Sequence, residues 1–180
     1  AALAAARRGW DDPALLRALG ELNCAEAVDV LKKHALEDAD ENVRAGAVDG
    51  LAKMKSGAGI DAVAKIFADS KSPALRLAAV RALGAYSPEE YRPVLKVFYE
   101  QEENTEALNA ALKRFDENRD DVALVTPVLS RGVDVTARQM AVLLCRKYKI
   151  KEAVAPLIQI VQNKGNDEKL RIYAASALRE

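Results

Sequence analysis

The chain has 180 residues, half of them hydrophobic but only 5% aromatic, with 27 basic and 27 acidic side chains and a formal net charge of zero. Nine Gly and six Pro are too few turn residues for a β-sandwich or barrel, so the composition predicts an all-α chain. A neutral balance argues against a dedicated nucleic-acid binder, and no apolar run approaches the ~20 residues of a membrane span.

The opening stretch, AALAAARRGW, has too short an apolar segment for a signal peptide. Asp12-Pro13 then starts a short helix, and Ala18-Leu19-Gly20 matches Ala82-Leu83-Gly84 further on. Residues 1–22 are therefore expected to form a partial copy of a later unit. From residue 23 a phrase recurs with anchors at Arg44, Arg76, Leu108, Arg138 and Arg171, in steps of 32, 32, 30 and 33 residues. Four places before the anchors stand Asp40, Ser72, Asn104, Asp134 and Asp167, all of them types that cap a helix by accepting from a free backbone N–H. Three places after them stand Ala47, Ala79, Ala111, Ala141 and Ala174, small enough to let two helices approach closely. Seven after come Leu51, Leu83, Phe115, Cys145 and Leu178. Cap, anchor, alanine and large apolar residue at this spacing describe one amphipathic helix, repeated.

A first helix precedes each of these. Its apolar positions fall ten before the anchor (His34, Ile66, Phe98, Val128, Val161) and thirteen before it (Leu31, Val63, Leu95, Val125, Ile158). Asn23 with Glu26, and Ser87-Pro88-Glu89-Glu90, read as capping boxes at the starts of first helices. Gly57-Ala58-Gly59 reads as the turn between units. Pro93, Pro127 and Pro156 fall inside first helices and are expected to bend them. The boundaries predicted are 23–55, 56–86, 87–116, 117–148 and 149–180, one cooperative domain that begins within one unit and ends at the close of another, as a piece of a longer array does.

Helix pairs of about this length, with an arginine two-thirds through and the phrase xVRxxAVxxL, resemble HEAT repeats, most closely the short variety of the phycobilisome lyases. The resemblance covers residues 23–180. It implies a right-handed α-solenoid of about five helix pairs plus the N-terminal half-repeat, and a non-catalytic scaffold or adaptor. It also implies that Arg44, Arg76, Arg138 and Arg171 form a ladder pairing with acidic or carbonyl groups of adjacent units. On a helix with Ala47 at the centre of its buried face, Arg44 lies about 60° away, on a shoulder turned to the neighbouring unit. Leu108 interrupts the row. The outward, concave positions of the second helices then form the binding face for a protein or peptide partner: Leu77, Arg81, Lys113, Gln139, Leu143, Arg146 and Ile172, apolar anchors alternating with bases. An acidic amphipathic partner suits them.

Catalytic constellations are scarce. His34, the sole histidine, occupies a slot filled elsewhere by apolar residues and reads as a hydrogen-bonded core residue. It is followed by Ala35, which excludes the His-Glu pairs of iron-holding relatives of this fold. The paired acids Asp11-Asp12 and Asp120-Asp121 sit at expected helix starts, where negative charge suits the helix dipole. Cys145 replaces a core leucine, and Cys24 falls in a first turn; neither has metal-type spacing, so no disulfide framework, metal or cofactor is expected and a reducing, cytoplasmic setting is favoured. The basic run Arg146–Lys151 reads as a solvated helix end. A bilin-lyase-like enzyme and a nucleic-acid-binding protein are the alternatives, the latter drawing on the ten bases against five acids of residues 131–180.

Overall fold

In a computed structural model, residues 4, 12–54 and 57–179 are described; Trp10 and Asp11, singled out above, lie outside them. The described residues are helical throughout, with no strand among them. They divide into two compact units, residues 1–94 and 95–180.

The first unit holds α1 (Pro13–Leu22), α2 (Ala25–Glu37), α3 (Glu41–Lys53), α4 (Ile60–Asp69), α5 (Pro73–Leu83) and the start of α6 (Pro88–Gln101). Helices α2 and α3 form one antiparallel pair and α4 and α5 the next. Second helices pack on second helices, α1 on α3 and α3 on α5, while α2 packs on α4. That is the stacking order of an α-solenoid. Asp12 caps α1 as expected, accepting from the Ala14 N–H at 2.8 Å. At the next junction the expectation fails. Asn23 does not begin α2 but ends α1, in the left-handed region at φ 47°, with its N–H donated to the Gly20 carbonyl at 3.2 Å. Asparagine is one of the few residues that tolerates this conformation, so it serves either end of a helix. Cys24 is left as the N-terminal cap of α2, with no side-chain bond to the helix.

Where α1 crosses α3 the two backbones meet. A Cβ built on Gly20 would stand 2.0 Å from the Gly50 carbonyl oxygen, one on Gly50 2.5 Å from that of Leu16, and one on Gly46 2.7 Å from the Pro13 Cα. Leu16, Leu19 and Leu31 are fully buried around this crossing. At its exposed edge Arg17 pairs with Asp49 at 3.0 Å, and Lys53 with Glu21.

The second unit holds the rest of α6, α7 (Thr105–Arg114), α8 (Arg119–Ala123), α9 (Thr126–Ser130), α10 (Val135–Tyr148), α11 (Val154–Gln162) and α12 (Glu168–Ala177). Again second helices stack in a row, α7 on α10 and α10 on α12, and α9 packs on α11. Across both units the five caps fall where the spacing puts them. Asp40, Ser72, Asn104, Asp134 and Asp167 each accept a hydrogen bond from a backbone N–H two or three residues on. The five spacing alanines are buried to within 1% of full burial.

The prolines act in three ways. Pro93 lies inside α6, which runs on through it. Pro127 divides the fourth first helix into α8 and α9. It has no N–H to give the carbonyl four residues back, and Leu124 and Val125 instead close tighter turns onto Asp121 and Val122, both at 3.1 Å. Pro156 falls in the first turn of α11, where an N–H has no helical partner in any case, and so costs little. The fifth pair also departs from the spacing. Leu157 and Ile160 are buried there, whereas Ile158 is 40% exposed. The connection 163–166 carries one residue more than 131–133, which shifts the first helix back by one relative to its anchor.

Candidate functional site

The anchor arginines bind mainly inward. The Nε of Arg44 donates to the Ala35 carbonyl at 3.1 Å, that of Arg138 to Leu129 at 3.1 Å and that of Arg171 to Val161 at 3.2 Å. Each carbonyl belongs to the C-terminal turn of the first helix of the same pair, one of the four such groups that no helical N–H reaches. The ladder expected to join neighbouring units therefore closes the two helices of its own pair first. Arg138 reaches onward as well, its guanidinium donating to the Asn166 side-chain oxygen at 3.1 Å. Arg76 is half-buried in the same position.

Leu108, where the arginine is missing, is fully buried. The carbonyl it would have served, that of Tyr99, receives Arg131 instead, at 3.0 Å. An arginine of the following pair thus does the work of the absent one. Sequence reasoning gave Arg131 no role, because the bond joins residues 32 apart on no shared helix face.

The residues expected to form a binding face are placed unequally. In the second unit Leu143 is 38% and Ile172 56% exposed, on the neighbouring helices α10 and α12, and Lys113 is exposed on α7. Gln139 and Arg146 also face this row, but each holds α10 to its neighbour. Gln139 donates to the Asp167 carboxylate at 3.1 Å, and Arg146 to the Ser176 hydroxyl at 3.2 Å. In the first unit Arg81 is exposed, whereas Leu77 is only half-buried and presents less apolar surface than the pattern promised.

The basic run is partly tied down. Lys149 ends α10 in the left-handed region, and the Tyr148 hydroxyl donates to the Asp116 carbonyl at 2.7 Å. Lys147 lies 4.8 Å over the Tyr148 ring. Below it, Cys145, Ile150, Val154, Leu157 and Leu178 help to line a groove of about 340 Å³.

His34 is half-buried with its Nδ1 3.0 Å from the Asp38 carboxylate. Burial pushes the Asp38 carboxyl up, but bonds from the Asp40 N–H and from His34 outweigh it, and the group sits below the ordinary carboxylate value. Among the described residues no group of three or more His, Cys, Asp or Glu side chains gathers as a metal site would require, and no helix is long and apolar enough to cross a membrane. Both cysteines are free, but not alike. Cys145 is 2% exposed, and burial, with the Glu152 charge adding to it, pushes its thiol up to about 12. Cys24 is half-buried. Titration of the native chain with a disulfide reagent is expected to modify Cys24 within minutes and Cys145 only after denaturant is added, since the thiolate is the reacting species. Two thiols reacting at one rate would show that the α10 packing around Cys145 is open.

Residues 12–72 match the family model of HEAT repeats. A search of the curated proteins finds no match.

Proposed function

From the premise that the chain is a HEAT-repeat protein, we propose that it is a non-catalytic scaffold that binds a protein or peptide through the second helices of its second unit, α7, α10 and α12. HEAT repeats commonly serve as interaction scaffolds. The observation that carries the reading is the exposure of Leu143 and Ile172 on adjacent helices, with Lys113 on the next one. Large apolar side chains held in water on rigid elements provide anchors, and neighbouring bases favour an acidic partner. Nothing in this role needs a bound cofactor.

The test compares the parent with the double variant Leu143→Asp/Ile172→Asp in affinity capture from the native cell, read by mass spectrometry. Both positions face solvent, so the variant should keep its stability within about 1 kcal/mol by urea unfolding. Proteins retained by the parent and lost from the variant are the expected result, because the variant removes two anchors and adds repulsion to an acidic partner. The same proteins captured equally by both would place the binding face elsewhere.

A further inference from the structure

In three pairs, the residue two places before the second helix's cap turns its side chain onto the cap's own N–H. Asp38 accepts from Asp40 at 2.9 Å, Ser70 from Ser72 at 3.2 Å and Glu102 from Asn104 at 2.7 Å. In the fourth pair that place is taken by Gly132, and a Cβ built there would meet nothing within 4 Å. No side chain stands at that place in the fourth pair, and the space beside it is open. It forms part of a pocket of about 240 Å³ lined from α9 and α11.

Two guanidiniums line this pocket, and their acceptors are neutral. Arg138 bonds to the Leu129 carbonyl and to the Asn166 amide oxygen, and Arg131 to the Tyr99 carbonyl. The other polar groups in the lining, among them Ser130, Gln159 and Asn163, are neutral too. Burial lowers the Arg138 pKa, a sign that its charge is partly stripped of water. Two acids, Glu103 and Asp134, line an adjoining cavity of about 440 Å³ with Arg131 and Gly132, and among the described residues neither is paired with Arg131. Guanidiniums answered only by neutral dipoles attract an anion, and their planar forks suit a phosphate best.

We propose that the pocket at Gly132 binds a phosphate group between Arg131 and Arg138, either as the free anion or carried on a partner's side chain. The volume exceeds that of phosphate alone and leaves room for the atoms that bear it. The site is independent of the second-helix anchors: neither Arg131 nor Gly132 contributes to that face, so either proposal stands if the other fails.

The decisive variant is Gly132→Asp, which supplies the internal carboxylate that Asp38 provides in the first pair. Because nothing crowds that Cβ, the variant should fold as the parent does. Thermal melting and calorimetry of the whole chain are measured with inorganic phosphate against chloride at equal ionic strength. A phosphoserine peptide and its unphosphorylated form make the further arms. Phosphate is expected to raise the parent's melting temperature with concentration, and Gly132→Asp to weaken binding at least tenfold without lowering its own melting temperature. Arg131→Gln should weaken binding as well. Tighter binding of the phosphopeptide than of phosphate would assign the group to a partner, and equal binding to the free anion. The proposal is overturned if the parent responds to neither phosphate nor phosphopeptide, if the peptide binds equally without its phosphate, or if Gly132→Asp responds as the parent does.

Discussion

Gly20→Ala is expected to destabilise the first unit by about 3 kcal/mol, although alanine is the better helix former by about 1 kcal/mol. The added methyl would enter the Gly50 peptide, 2.0 Å from its oxygen, 2.7 Å from its carbonyl carbon and 2.8 Å from its Cα. All three atoms are backbone, so no rotamer change relieves the clash, and α1 must lift from α3. Lifting it loosens the contacts of Leu16 and Leu19, both fully buried. Gly132→Ala is the control: open space surrounds it, and it should be neutral or slightly stabilising. Urea unfolding of the two variants decides the matter. A Gly20→Ala chain as stable as the parent would mean that α1 and α3 do not cross this closely.

Leu108→Arg completes the row of arginines, and a consensus argument would expect it to stabilise. The opposite is expected, a loss of about 3 kcal/mol or more, as for any charge buried without a partner. Leu108 is fully buried, and the one carbonyl placed to receive the new side chain is already bonded to Arg131. Removing that competitor should recover part of the loss. The double variant Leu108→Arg/Arg131→Ala is therefore expected to be more stable than the sum of its single changes predicts, by roughly 0.5–3 kcal/mol of coupling. Strict additivity would show that the two guanidiniums do not share Tyr99.

These contrasts show which parts of the molecule are legible in the chain. Caps are readable because they act within one helical turn, where Ser72 and Leu75 or Asp167 and Leu170 are neighbours by geometry alone, and the spacing alanines because each recurs at a fixed distance from its cap. Asn23 was misplaced because its side chain suits both ends of a helix, and only the backbone angle tells them apart. The fifth pair slipped by one because spacing measured from the anchor assumes a constant connection. Leu77 depended on how much of its outward position the rest of the fold covers, a tertiary quantity. The candidate phosphate pocket was the least visible of all. Of its parts only Arg138 is marked by the repeat; the glycine, the amide in the next loop and the arginine working for another pair are not.

The exchange at Tyr99 changes how the second unit shares out its cohesion. In the first, fourth and fifth pairs the arginine bond is internal, so a pair carries it whether or not the next has formed. In the third it is borrowed from residue 131. In a linear stack, stability is the sum of what each repeat holds alone and what it gains from its neighbour. Here one such bond has moved from the first account to the second. The third pair is thereby weaker in isolation and more firmly joined to the fourth, so these two behave as one link rather than two when the array frays or is pulled.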